Sequence, residues 1–142
     1  MNISKKTRGY LELARRIALQ ATYGGIKHGA VLVKGGSIIN VSYNKENFCS
    51  FGNRFRKSTE GKATLHAELG CVLNLDRSVT QGTNIYVVRV GKDGEFKMSK
   101  PCTMCQGALK FTGIKRVYYT VGEDVLELSL IHISEPTRQA EI

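Results

Sequence analysis

No apolar run in these 142 residues approaches the roughly 18 that a membrane span needs. The start, Met1-Asn2-Ile3-Ser4-Lys5-Lys6, is polar and lacks the layout of a secretory signal. Both absences predict a soluble cytoplasmic protein with no membrane partner, a secreted toxin domain being the alternative. Acidic residues are also scarce, 12 against 21 Lys and Arg, which leaves a net charge of +9. The shortage is uneven. Residues 1–64 hold 12 basic and 3 acidic side chains, whereas residues 65–127 hold 8 and 7. A charge surplus gathered in one half points to a polyanionic partner. The bland alternative is a generally basic surface. The length suits one domain with a real core.

Hydrophobic spacing divides the chain into alternating elements. Tyr10, Leu13, Ala14, Ile17 and Ala21 recur at helical spacing and predict a helix from Thr7 to about Ala21. Ala30–Val33 and Ser37–Tyr43 read as strands around Lys34-Gly35-Gly36. Asn44 to Thr64 is polar and without period. Thr64 is placed to cap a helix from His66 to Leu75. Strands are expected at Thr83–Val90, Glu95–Met98 and Ile114–Tyr119, with a helix over Cys102–Phe111 that Gly113 ends. Such alternation predicts an α/β domain with helices over a mixed sheet.

Two strings carry the chemistry: His66-Ala67-Glu68 and Pro101-Cys102-Thr103-Met104-Cys105. His66, Cys102 and Cys105 make three zinc ligands. Three protein ligands leave a fourth tetrahedral position open, which is the catalytic arrangement. Each string falls where a loop enters a helix, and helix N-termini stabilise thiolates. Glu68 is surplus as a ligand and so is free to move protons. A thiolate metal site fits a reducing compartment, which would leave Cys49 and Cys71 as free thiols. A structural zinc site completed by one of those two is the alternative. Cys71, on an apolar helix face, reads as core.

From His66 to Cys105 the chain resembles the cytidine-deaminase-like superfamily, and more loosely over residues 8–124. The resemblance implies a three-layer α/β/α fold, a mixed central sheet with helices on both faces, and Zn²⁺ as cofactor. It implies that Glu68 shuttles protons between an attacking water and the departing amino group. It also assigns substrate contacts to Asn44, whose alternative role is a turn residue, and to Ala67 through its backbone. His28 lies before the first strand, where it borders the pocket or a surface loop.

The substrate is read from weaker signals. Phe51, Arg54, Phe55, Arg56 and Lys57 interleave aromatic and basic side chains, as stacking and phosphate pairing on nucleic acid require. The alternative is that the phenylalanines pack beneath a long loop. Tyr118-Tyr119 resembles the tyrosine-bearing loop of polynucleotide cytosine deaminases, with Tyr118 expected in the core and Tyr119 towards substrate. The preferred reading is deamination of cytosine in DNA, single-stranded with duplex as a further option, similar to the DNA cytosine deaminases of environmental sequence. A free cytidine or dCMP deaminase, a tRNA adenosine deaminase, and a zinc-stabilised nucleic-acid-binding module without turnover are the rivals.

Leu128–Arg138 reads Leu-Ser-Leu-Ile-His-Ile-Ser-Glu-Pro-Thr-Arg. It resembles the in-frame translation of an adapter used in transposase-based sequencing libraries. The expected division is a deaminase domain over residues 1–127 and a non-native tail over 128–142. His132 then drops out as a ligand. The alternative is a genuine short strand, since apolar and polar residues alternate there.

Overall fold

The computed structural model describes residues 4–21, 27–48 and 64–130. The first helix, α1, spans Lys5–Ala18. It begins earlier than its apolar period suggests because Ser4 caps it, the Ser4 hydroxyl accepting the Thr7 N–H at 3.0 Å. Leu11, Ala14 and Ala18 form its buried stripe.

Five strands make the main sheet: β1 (Lys27–Lys34), β2 (Ser37–Tyr43), β5 (Asn84–Val90), β7 (Arg116–Val121) and β8 (Asp124–Ser129). Their spatial order is β2-β1-β5-β7-β8. Only β5 and β7 run parallel, and the other neighbours are antiparallel. A short sixth strand, β6 (Phe96–Lys97), folds back on the end of β5 and pairs with Arg89 and Val90. Separately, β3 (Lys45–Phe48) pairs with β4 (Thr64–Leu65). Three more helices complete the described chain: α2 (Ala67–Val72), α3 (Arg77–Thr80) and α4 (Thr103–Phe111).

The period of two along each strand sorts side chains to opposite faces. Leu11, Ala14 and Ala18 of α1 pack on Val31, Val33, Tyr86, Val88 and Val90. On the other face, Ala67, Cys71 and Val72 of α2 and Leu109 of α4 pack on Ala30, Leu32, Ile85, Val87 and Val117. The result is the expected three layers. Leu32, Ile85, Leu109 and Ile114 are fully buried, each worth about 1.5–3 kcal/mol of transfer free energy. Gly29 lets α1 approach: a Cβ there would lie 2.1 Å from the Ala14 carbonyl oxygen.

Strand β8 was not anticipated as far back as Asp124. It runs without a break through Glu127 and Leu128, which face Tyr118 and Val117. Leu130 then donates its N–H to the Lys115 carbonyl at 3.0 Å and is buried beside Ile114. The apolar alternation of Leu128 and Leu130 is thus used for packing. Among the described residues no helix is long and apolar enough to cross a membrane.

Candidate active site

His66 and Cys102 hold equivalent places. Each is the N-cap of its helix, α2 and α4, in extended backbone. Neither side chain caps its helix. Both turn instead to a shared point at the carboxyl ends of β5 and β7, where open α/β sheets place their ligands. The His66 Nδ1 lies 3.2 Å from Cys105 Sγ and 3.9 Å from Cys102 Sγ. All three ligand atoms fall within 4.8 Å of one another. Tetrahedral zinc with ordinary Zn–N and Zn–S bonds sets N···S near ~3.6 Å. Two sulfurs and an imidazole are a donor set suited to zinc. Cys105 is buried and Cys102 exposed, so the site is anchored inside and open outside.

The electrostatics suit a metal and a base. Hydrogen bonds from Cys105 and then from His66 bring the Cys102 thiol down to about 4. Its bond to Cys102 raises the His66 imidazole above its ordinary value. Glu68, 5% exposed, lies in the first turn of α2. Burial raises its carboxyl above the usual range, and Cys105 hydrogen-bonds to it. A carboxyl raised in this way holds a proton more readily than a free carboxylate, which suits a group that accepts a proton and returns it. Bound zinc would supply a Lewis acid at the open position.

His28 and Asn44 come together beside this cluster. The Asn44 side-chain carbonyl accepts the His28 backbone N–H at 2.9 Å. Asn44 is buried. Burial, Arg89 and His66 lower the His28 imidazole to about 4, so it is neutral at pH 7. Ala67 opens α2 immediately after His66 and is fully buried.

Two residues of weight carry no motif. Ser99 is buried three positions before Cys102. Its hydroxyl donates to the Val87 carbonyl at 2.8 Å and accepts the Thr120 N–H at 2.7 Å. Its own N–H donates to the Thr120 carbonyl at 2.9 Å. Ser99 therefore rivets the segment leading to Cys102 onto β5 and β7. Arg89, the second, ends the metal-facing row of β5 and is exposed. Only the register of the strands identifies either residue.

The two tyrosines exchange places relative to the sequence reading. Tyr119 is 7% exposed and packs in the core with Ala67 and Leu109, whereas Tyr118 is only partly buried on the α1 face. Alternation puts them on opposite faces, but helix cover decides which face is core. The N-cap position of α2 is His66 rather than Thr64, which lies in β4 opposite Phe48. Phe51, Arg54, Phe55, Arg56 and Lys57 lie outside the described residues.

Residues 4–121 match the family described as the cytidine and deoxycytidylate deaminase zinc-binding region. The tRNA-specific adenosine deaminase of Agrobacterium fabrum (strain C58 / ATCC 33970) is 30% identical over 116 residues, 77% of this chain. The chain spans 62% of that relative's length. Among solved structures, the dCMP deaminase of cyanophage S-TIM5 in apo form is similar with a TM-score of 0.59 at 20% identity, covering 87% of this chain and 88% of that one. The cytidine deaminase of Bacillus anthracis gives 0.56 at 14% identity, covering 94% of each chain. At these identities the two structures speak to the fold alone, and they share the layered α/β arrangement seen here. A zinc donor set at two helix starts, a buried carboxyl against it and a family match over most of the chain place this protein in the cytidine and deoxycytidylate deaminase zinc-binding family.

Proposed function

We propose that the chain is a zinc-dependent hydrolytic deaminase acting on cytosine in a DNA strand. One observation carries the choice of strand over free nucleotide. β3 and β4 pair, Lys45 with Leu65 and Phe48 with Thr64, directly between Asn44 and the ligand His66. The connecting residues 49–63 include Phe51, Phe55, Arg54, Arg56, Lys57 and Lys62 against a single acid, Glu60. Their stem is therefore rooted at the metal, and their composition suits unstacked bases and phosphates.

In this reading His66, Cys102 and Cys105 hold zinc and Glu68 moves the protons. Glu68 takes one from the attacking water and returns it to the ring nitrogen. It then takes the proton of the newly added hydroxyl, which becomes the carbonyl, and delivers it to the departing amino group, so ammonia leaves and uracil remains. A target within a duplex would first have to leave the stack.

A second reading rests on the relative from Agrobacterium fabrum, a tRNA-specific adenosine deaminase. One assay separates the two. The zinc-loaded protein is given single- and double-stranded DNA, RNA, a tRNA anticodon stem-loop, dCMP and cytidine, and products are identified by mass. Uracil in the DNA strand is expected. Uracil from free nucleotides alone, or inosine from the stem-loop, overturns the DNA reading.

A further inference from the structure

Beyond the ligands and Glu68, the metal-facing side of the sheet ends in three cationic or imidazole groups in a row. Arg89 of β5 pairs directly with His28 of β1 on one side and with Lys97 of β6 on the other. Directly paired residues point to the same face with Cβ atoms roughly 5 Å apart. Arg89 follows Ile85 and Val87 on the face packed by α2 and α4. His28 in turn lies within electrostatic reach of both His66 and Cys102. The row therefore leads from the metal to Arg89.

The charges in that row are not equivalent. The Lys97 ammonium is 3.4 Å from the Glu95 carboxylate. Glu95 is held at the far end of the hairpin by the Asp93 N–H, 3.1 Å away, and lies over Gly91, where a Cβ would meet its carboxyl at 2.7 Å. Glycine at position 91 thus seats the acid beside Lys97. Among the described residues no carboxylate pairs with Arg89. His28 is neutral and adds no competing charge. An exposed guanidinium paired across the strands with His28, at the rim of the metal cluster, is a fork for a phosphate.

We propose that Arg89 binds a phosphate of the nucleotide undergoing deamination, so that the β5–β6 hairpin makes this site prefer phosphate-bearing substrates over nucleosides. The inference rests on the deaminase reading but not on DNA as the strand. The phosphate can be the monoester of a free nucleotide or a diester within a strand. Arg89 is a specificity-determining residue in this role, distinct from the proton-moving Glu68.

The test compares kcat/KM of the zinc-loaded protein on deoxycytidine, dCMP and a single-cytosine oligonucleotide, for Arg89→Ala, Arg89→Lys and Lys97→Ala. Losing a charge-assisted guanidinium–phosphate contact costs about ten- to hundred-fold. Arg89→Ala should lose that much on whichever phosphate-bearing substrate is turned over, mainly through KM, and far less on deoxycytidine. Arg89→Lys should recover part of it, and Lys97→Ala should stay within about two-fold because Glu95 already balances that charge. A second readout needs no turnover. Binding of a labelled oligonucleotide should show a salt slope shallower by about one in Arg89→Ala. An equal loss on all three substrates, or no loss on the phosphate-bearing ones, overturns the proposal. Selectivity retained on dCMP with no strand deamination would instead overturn the DNA reading and leave Arg89 in its role.

Discussion

The same three strands look two ways, and their two faces end differently. On the α1 face, β5 stays apolar to its last residue: Tyr86, Val88 and Val90 are all buried, and Phe96 of β6 joins them. On the metal face, Ile85 and Val87 are followed by the exposed Arg89. One face is covered to its end by a long helix. The other is covered by two helices that start at the metal and leave its rim open. Charge enters the sheet where cover stops. The covered face is held by aromatic packing, with Tyr86 stacked on Tyr118 at 4.7 Å and tilted against Tyr10 at 4.9 Å. The open face buries an apolar core of its own, with Leu32, Ile85 and Leu109 in it, and adds polar rivets and the metal cluster at its rim. Both faces hold the sheet together, and the reactive groups gather at the rim of one.

The sharpest way to isolate the reactive face is Glu68→Gln. Zinc content by elemental analysis should be retained, while deamination falls by about 10²–10⁴. Substantial turnover would take the proton-moving role away from Glu68. The covered face breaks most directly at Gly29. Gly29→Ala sets a Cβ against the Ala14 carbonyl and the Ala18 N–H, both backbone atoms. Overpacking of this kind costs about 1–3 kcal/mol, measured by urea unfolding, with activity per folded molecule preserved.

Ser99→Ala tests the rivet. It leaves the Thr120 N–H and the Val87 carbonyl without their side-chain partner and should cost about 1–3 kcal/mol. Because Cys102 follows three residues later, chelator competition should also show weaker zinc retention, which Gly29→Ala would not produce. On the covered face, burial and then Tyr118 raise the Tyr86 phenol to about 12. A raised phenol contributes stability that is complete below its unfolded value near ~10 and is lost as pH climbs through the folded one. Tyr86→Phe should therefore flatten the alkaline fall in melting temperature between about pH 10 and 12. The smallest effect is expected from Lys5→Ser with Lys6→Ser. These lysines sit at the α1 end next to the Gly36 turn, with Lys6 Nζ 3.0 Å from the Cβ position of Gly36. Gly36 lies at the opposite end of β1 from His28. Their loss should leave strand deamination nearly unchanged, although it removes two of the charges in the basic half.

That last contrast shows how far the sequence could be read. The total charge was legible, but its distribution over the fold was not, because α1 carries much of it away from the metal. The meeting of His66, Cys102 and Cys105 was legible because a metal-binding donor set demands residue types at fixed spacing. Arg89 and Ser99 were not, since each matters only through neighbours brought in by strand register. His66 also hid a boundary: it is itself the N-cap, in extended backbone, so the helix begins one residue after the start expected from Thr64. Helix α3 has four residues and too little period to show, although Asp76 caps it. Helix α1 and strands β1, β2, β5 and β7 emerged near their expected positions because each has a full period of apolar residues.

The β3–β4 stem has a consequence for descent. It pairs Phe48 with Thr64, the residues on either side of positions 49–63, between Asn44 and His66. Because those flanking residues are clasped to each other, chain can be added or removed between them without moving Asn44 and His66 apart, and each doubling of such an interval costs only about 0.6 kcal/mol of closure entropy. A scaffold clasped in this way can vary in length there at little expense to its sheet.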